Sequence, residues 1–314
     1  MKLKWILLSL FITISTVLIG CEPVLVLDPK GPQAETTANV IWLSIATMAF
    51  IVIVVFVLLV IILVKYRASK QREDYEPPHI EGNHILEGII VGIPVLIIIF
   101  LSIVSVKSTY EVESVPEGYE DQEPLVIYAS SSNWKWHFSY PEQDIETVNY
   151  VFIPTDRRVE FRLYSFGPIT SFWIPQLAGQ KYAMADMVTT IHLAAEAPGE
   201  YMGRNANFSG EGFAENIFNV TALSHDEFNT WVDEIHATAE PLTEETFDRL
   251  LEPGHLGQMT FTGTHLEFSP APEGEHGGHN HGPSESSDME HDHSDHDDHG
   301  GNDDHGEHDH DSHE

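Results

Sequence analysis

The chain of 314 residues is long enough for two ordinary domains, but its apolar residues are too unevenly distributed for the average composition to be informative. Its single cysteine, Cys21, excludes a disulfide within the chain, and its formal net charge of −34 gives no reason to expect a nucleic acid partner. Residues 273–314 hold a large share of the acidic residues and no Lys or Arg, so the acidity belongs mainly to a tail.

The first apolar block has the pattern of a bacterial lipoprotein signal peptide. Lys2 and Lys4 precede an apolar run that ends in the letters LIGC at Cys21. We therefore expect residues 1–20 to be removed and Cys21 to be lipidated, with residues 21–39 lying outside the cytoplasm. The alternative is an uncleaved anchor helix with an incidental cysteine.

Two further apolar runs predict a hairpin of membrane-spanning helices. Residues 40–64 contain no charge, and at about 1.5 Å per residue they exceed the roughly 30 Å hydrocarbon core. Residues 85–106 are interrupted only by Glu87, Gly92 and Pro94, and neighbouring helices can absorb such breaks.

The loop at residues 65–84 indicates the orientation. Its basic residues are Lys65, Arg67, Lys70 and Arg72. An excess of Lys and Arg in a short loop marks the cytoplasmic side, so both flanking segments should face outward. A lipid on Cys21 in the outer leaflet agrees with this topology.

Residues 124–223 have the pattern of an all-β domain. Short apolar and alternating runs are separated by turn residues; they read LVIYAS, WKWHFSY, VNYVFI, VEFRLYSF, SFWIP, VTTIHLAAE and NIFNVTAL. So many short strands predict a Greek-key sandwich or barrel. Trp134 and Trp136 alternate within one run, so we expect both side chains on the same face of a strand.

Residues 224–269 predict a helical extension. Ser224 and Glu227 form a capping-box pattern ahead of an amphipathic helix, and residues 243–251 predict a second short helix. Histidines outside the tail lack ligand spacing such as H-E-x-x-H, and we interpret them as structural or surface residues. They include His79, His84, His192, His225, His236, His255 and His265.

Residues 270–314 have almost no hydrophobic side chains to bury, so we expect a disordered tail. Its histidines, from His276 to His313, alternate with Asp and Glu and could hold zinc, nickel or copper ions loosely. A solvated spacer is the alternative. A lipoprotein that gathers metal through this tail is the alternative function of the chain.

Two spans followed by an outward β-sandwich resemble subunit II of the haem-copper oxidases over nearly the whole chain. The string SSNWKWHFSYPEQ resembles that family's aromatic strand. SFWIPQLAGQKYAM resembles the stretch with the first copper-ligand histidine, and PGEYMGRNANFSGEGF resembles the loop with the remaining ligands. The resemblance implies an extracytoplasmic cupredoxin-like domain.

The resemblance also locates the copper ligands of the cytochrome c-oxidizing members, whose two coppers are held by two cysteines, two histidines, a methionine and a backbone carbonyl. The histidines fall at Thr170 and Phe213, the cysteines at Asn205 and Ser209, and the methionine at Asn216. None of these residues supplies thiolate, imidazole or thioether, so we expect no metal and no redox centre in this chain. A cytochrome c oxidase subunit with its ligands elsewhere would need cysteines that the chain lacks.

This departure matches the quinol oxidase branch of the family, in which quinol is the electron donor and cytochrome c is not a partner. The resemblance implies a structural and assembly subunit of a proton-translocating terminal oxidase. Haems and copper would lie in subunit I, and the smaller subunits III and IV would complete the complex. We expect menaquinol in preference to ubiquinol. The chain alone should not be catalytic.

Three more residues receive roles from the resemblance. A subunit II glutamate at the place of Glu87 lies at the mouth of a proton pathway into subunit I; the alternative is an interfacial carboxylate that reaches water. In copper-bearing relatives an aromatic residue near Trp134 and Trp136 relays electrons. Without copper, we expect both tryptophans at the interface with subunit I or in the sandwich core.

Overall fold

The structure, a computed structural model, describes residues 24–67 and 82–273. The predicted signal peptide, Cys21 and the His-rich tail lie outside the described residues. The α-helices are α1 (Pro32–Lys65), α2 (His84–Glu113), α3 (His225–Thr238) and α4 (Glu244–Leu251). The strands are β1 (Leu125–Ser132), β2 (Lys135–Tyr140), β3 (Ile145–Val148), β4 (Tyr150–Pro154), β5 (Val159–Ser165), β6 (Thr170–Trp173), β7 (Gln180–Ala183), β8 (Thr189–Leu193), β9 (Gly199–Asn205), β10 (Ile217–Leu223), β11 (Glu240–Pro241) and β12 (Met259–Thr262).

Helices α1 and α2 are long and apolar enough to cross a membrane, with mean hydropathies of 3.5 and 3.1. Both extend beyond the predicted apolar spans. Helix α1 begins at Pro32 instead of residue 40, and α2 ends at Glu113 instead of residue 106. The added turns are polar, so hydropathy alone does not reveal them. Helix α2 continues through Pro94.

The polar ends of these helices contact the sandwich. A Cβ atom on Gly31 would lie 2.2 Å from the carbonyl oxygen of Ala194, so only glycine fits immediately before α1. The ammonium of Lys181 lies 3.4 Å from a carboxylate oxygen of Glu113 at the end of α2. The sandwich therefore sits against the helix ends.

The strands form two sheets. One has the order β11-β12-β3-β2-β1-β5-β8 and the other has the order β4-β10-β9-β6-β7. Strand β1 pairs parallel with β5, and β4 pairs parallel with β10, whereas β1–β2 and β9–β10 are antiparallel. After β3 the chain crosses repeatedly between the two layers, as in a Greek-key sandwich.

All six residues of strand β2 are buried, because both faces of the strand are covered. On its inner face Trp136 and Phe138 pack against Phe172 and Phe218 of the opposite sheet, with ring centroids 5.1–6.4 Å apart. Its outer face carries Lys135, His137 and Ser139, which the C-terminal extension covers.

The C-terminal extension is only partly the helical segment that the sequence predicts. The capping box of Ser224 and Glu227 is present at the start of α3, and Thr243 caps α4. Strands β11 and β12 are additions, and β12 pairs antiparallel with β3 at the edge of the larger sheet. These strands are too short to give a recognisable alternating pattern.

A second apolar cluster lies under this extension. Its buried members are Val148, Phe247, Leu250 and Phe261. The extension therefore belongs to the folded domain and closes the outer face of the larger sheet. Two long apolar helices followed by a two-sheet, cupredoxin-like sandwich confirm the predicted fold class.

Candidate functional site

The positions assigned to the copper ligands converge at one end of the smaller sheet. Thr170 is the first residue of β6 and Asn205 is the last residue of β9, and these antiparallel strands are neighbours. Ser209 lies in the following loop, Phe213 begins a short 3-10 turn, and Asn216 ends that turn immediately before β10. Sheet topology thus brings together residues that are far apart in sequence.

Asn205 is the hydrogen-bonding centre of this group. It is 2% exposed, and its Nδ2 donates to Ser209 Oγ at 2.9 Å. Its Oδ1 accepts from the backbone N–H groups of Ser171 at 2.8 Å and Asn207 at 2.9 Å. Its own N–H donates to the carbonyl of Asn216 at 2.9 Å. An amide network therefore holds the loop to which the resemblance assigns the bridging cysteines.

Thr170 connects the two sheets through a chain of hydroxyl groups. Its Oγ1 lies 2.6 Å from Ser131 Oγ, which donates to Ser165 Oγ at 3.1 Å. All three residues are buried. Because each hydroxyl forms a hydrogen bond with its neighbour, the position assigned to the first histidine is part of a neutral hydrogen-bonded interior.

Phe213 places an apolar ring at the position assigned to the second histidine. Its ring packs against Phe208, with centroids 5.7 Å apart, and Phe208 is 77% exposed. A phenyl ring provides no lone pair for a metal ion.

Asn216 is fully buried, and neither polar atom of its side chain has a hydrogen-bond partner among the described residues. This distinguishes it from Thr170, Asn205 and Ser209, whose polar atoms are engaged. A buried unpaired amide costs about 1–3 kcal/mol. The position assigned to the methionine is therefore the least well satisfied of the group.

Trp134 fixes the loop that carries Ser209. Its indole Nε1 donates to the carbonyl of Ser209 at 2.9 Å. A Cβ atom on Gly212 would lie 2.4 Å from the indole ring, and one on Gly210 would lie 3.2 Å from it. Gly210 also has a positive φ of 107°, which favours glycine. The glycines of NFSGEGF are thus explained by the close approach of Trp134.

The prediction that Trp134 and Trp136 share one face of a strand is wrong. Trp134 lies in the turn between β1 and β2, ahead of the first residue of β2. Trp136 has no exposed surface and packs between the sheets, so an interface role is wrong for Trp136 and the sandwich core is its location. Alternation indicates a common face only when both residues belong to the strand.

Glu87 lies in the first turn of α2, where Asn83 caps the helix by accepting from the N–H groups of Ile85 and Leu86. Its carboxylate is 3.4 Å from His84 Nδ1, and its side chain is 64% exposed in the isolated chain. The carboxylate is therefore open at one end of the apolar helix.

Sequence reasoning missed a second buried polar group, on the outer face of the larger sheet. His265 is fully buried and lies 2.8 Å from Glu146, and His137 lies 2.9 Å from Ser132 Oγ. Glu146, the charged residue of the short IETV strand, is the one feature that indicates such a group in advance. Among the described residues, no group of three or more His, Cys, Asp or Glu is placed to hold a metal ion.

Comparison with known proteins identifies relatives that cover most of the chain. A sequence profile of the family "Cytochrome C oxidase subunit II, transmembrane domain" matches residues 26–108, which include α1 and most of α2, and the chain is a membrane protein. The periplasmic domain of subunit II of cytochrome oxidase from Bradyrhizobium japonicum is 18% identical, with a TM-score of 0.36. The alignment covers 40% of this chain and 98% of that domain.

Longer and more similar matches come from Bacillus. Quinol oxidase subunit 2 of Bacillus subtilis strain 168 is 50% identical over 267 residues, which cover 85% of this chain and 83% of that protein. Quinol oxidase subunit 2 of Bacillus anthracis is 44% identical over 269 residues, which cover 85% of this chain and 92% of the relative. The chain therefore belongs to the quinol oxidase subunit 2 family.

Proposed function

We propose that this chain is the copper-free subunit II of a proton-translocating terminal quinol oxidase, which passes electrons from quinol to oxygen in the aerobic respiratory chain. The observation that carries the proposal is the chemistry of the five former ligand positions. Amide, hydroxyl and phenyl groups occupy them, and Thr170, Asn205 and Ser209 are engaged in hydrogen bonds within the domain. The names of the Bacillus relatives support quinol as the substrate of the complex.

The chain acts as a structural and assembly subunit in this proposal. Apolar side chains cover α1 and α2 and are exposed in the isolated chain, which fits helices that pack against a membrane partner. That partner is the haem-bearing subunit I, which holds the haems, the copper at the oxygen site and the quinol pocket. Subunits III and IV complete the complex. Menaquinol is the proposed donor, and cytochrome c is not one.

The former copper site cannot relay electrons without a metal. Its role in the proposal is to keep the end of the sandwich rigid, because hydrogen bonds from Asn205 and Trp134 hold the loop that metal bonds hold in copper-bearing relatives. A soluble one-electron donor would find no acceptor there. Electrons therefore reach the haems from the membrane side.

Glu87 is the proposed entrance of a proton pathway. Its place in the first turn of α2, beside the basic cytoplasmic loop, puts an ionisable group at the membrane surface, where it costs less than in mid-membrane. The positive end of the helix favours a carboxylate there. The carboxylate can therefore exchange protons with water and with the neighbouring subunit.

The orientation and the lipid anchor complete the proposal. The basic loop after α1 faces the cytoplasm, so the sandwich lies on the outer side, where a lipidated Cys21 would also be held. Residues 1–23 lie outside the described residues. Radiolabelled palmitate incorporation, absent after Cys21→Ser, tests the anchor.

Purification of the tagged chain from detergent-solubilised membranes tests the function. We expect haem to co-purify, and we expect the preparation to oxidise quinol with oxygen but not to oxidise reduced cytochrome c. A preparation without haem would favour the metal-gathering lipoprotein instead. Cytochrome c oxidation that survives removal of quinone would contradict the proposed donor.

A further inference from the structure

An acidic cleft opens between the ends of α1 and α2 nearest the sandwich. It has a volume of about 470 Å³ and is lined by Glu35 of α1, by Glu111 of α2, and by Glu117 and Glu120 of the segment after α2. No Lys, Arg or His is among its lining residues. The C-terminal end of α2 adds partial negative charge and the N-terminal end of α1 adds partial positive charge, so the glutamates supply the net charge of the cleft.

The negative charge of the cleft is only partly compensated within the described residues. Glu111 pairs with Lys107 at 3.3 Å, and Glu120 accepts a hydrogen bond from the N–H of Gly118 at 2.9 Å. Glu35 and Glu117 have no ion-pair partner in the described parts of the chain. The cleft therefore retains carboxylates that are available to bind a cationic group.

Gln33 lines the same cleft and supplies an independent observation. Its side chain is 3% exposed, and neither its Oε1 nor its Nε2 has a hydrogen-bond partner among the described residues. Leaving such a buried amide unpaired is unfavourable. A ligand that both donates to Oε1 and accepts from Nε2 would remove this penalty, and a peptide group does both.

We propose that this cleft receives a basic peptide segment from another subunit of the oxidase, with an Arg or Lys side chain among the glutamates and a peptide group against Gln33. The inference rests on the proposed function, because it requires a partner subunit. Arginine fits best, since its planar guanidinium can bind two carboxylate oxygens at once.

Two other occupants fit less well. A compact divalent cation site needs several ligands at short range, and the described residues contain no group of three acidic or histidine side chains placed for it. A zwitterionic phospholipid headgroup carries a cationic amine, but its phosphate would lie close to the same glutamates, Glu35, Glu111, Glu117 and Glu120. The negative charges of the phosphate and the glutamates would repel each other.

Photo-cross-linking identifies the occupant. The photoreactive residue p-benzoylphenylalanine replaces Thr36, which lines the cleft, in the full chain expressed with its partner subunits. The same probe at exposed Glu234 of α3 is the control. After irradiation of membranes, mass spectrometry should find an adduct at position 36, but not at 234, with an Arg- or Lys-containing peptide of a subunit that co-purifies with haem. Adducts with lipid only, or none, would overturn the proposal.

A charge-neutralising variant gives a second readout. The double variant Glu35→Gln/Glu117→Gln removes two partly exposed ion pairs between the cleft and the basic segment. The amount of the haem-bearing subunit that the immobilised chain retains should therefore fall roughly fivefold at moderate salt. The control Glu200→Gln/Glu234→Gln makes the same charge change at exposed positions of the sandwich and α3. Equal retention in both double variants would overturn the proposed binding of a basic segment in the cleft. A wild-type chain that purifies without haem would contradict the proposed function itself.

Discussion

His265 Nδ1 lies 2.8 Å from Glu146 Oε1, and neither side chain has any exposed surface. Ser139 Oγ donates to the other carboxylate oxygen at 2.6 Å, and the Tyr164 hydroxyl lies 2.5 Å from His265 Nε2. Phe247 stacks on the imidazole, with centroids 4.4 Å apart. This group joins the C-terminal extension to strands β2, β3 and β5, so it holds the extension on the larger sheet.

Loss of one member of this pair should destabilise the domain strongly. His265→Leu leaves the Glu146 carboxylate buried without its imidazole partner, and we expect the unfolding free energy to fall by about 3–5 kcal/mol. Denaturant unfolding of the purified chain, followed by tryptophan fluorescence, measures this. The double variant His265→Leu/Glu146→Leu should recover part of the loss, because no unpaired charge remains. A single variant within about 1 kcal/mol of wild type would contradict this role.

The two asparagines at positions assigned to copper ligands, Asn205 and Asn216, should respond in opposite ways to the same change. Asn216→Leu removes an unpaired buried amide, and we expect a gain of about 1 kcal/mol in unfolding free energy. Asn205→Leu removes an amide that makes hydrogen bonds to Ser171, Asn207 and Ser209, and we expect a loss of about 2–3 kcal/mol. Equal effects would contradict the assignment of Asn205 as the centre of the network.

Lowering the pH should reduce the unfolding free energy of the domain because His137 is buried. Burial lowers the pKa of His137 well below its ordinary value of 6.5, and the nearby positive charges of His265 and Lys135 act in the same direction. Below pH 6.5 the unfolded chain binds a proton that the folded imidazole does not, so stability falls as the pH drops below this value and is unaffected by this group above it.

The variant His137→Gln tests this pH dependence. The slope of unfolding free energy against pH below 6.5 should decrease by up to about 1.4 kcal/mol per pH unit, whereas the exposed control His255→Gln should leave it unchanged. Identical slopes in wild type and His137→Gln would show that another group controls the acid response.

The variant Glu87→Gln should slow the turnover of the complex without impairing its assembly. The amide keeps the size of the side chain but cannot carry a proton, so we expect quinol oxidation to slow roughly tenfold while haem content stays near wild type. Haem per chain and oxygen consumption, measured on the same preparation, give both quantities. Normal turnover with normal haem content would remove Glu87 from the proton pathway.

The sequence predicts the order of the architecture because each part has a strong local pattern. Apolar runs identify α1 and α2, and Ser224 with Glu227 identifies the start of α3. The polar ends of the spans escape prediction, since their helical turns are stabilised by contact with the sandwich and not by hydropathy.

Tertiary contacts account for what sequence reasoning did not find. Trp134 reaches Ser209 across the end of the sheet, and His265 reaches Glu146 across the outer face. Neither pair has a spacing that a linear pattern reveals. The positions assigned to copper ligands, in contrast, come from resemblance alone, and the structure brings Asn205, Ser209 and Asn216 together.

Copper content tests the central claim most directly. The chain is purified from copper-supplemented cells, freed of its haem-bearing partner and washed with a chelator that strips loosely held ions from the His-rich tail. We predict no stoichiometric copper and no thiolate-type absorption in the visible spectrum. A variant with Thr170→His, Asn205→Cys, Ser209→Cys, Phe213→His and Asn216→Met is the positive control. Stoichiometric copper with purple absorption in the wild-type chain would contradict the account.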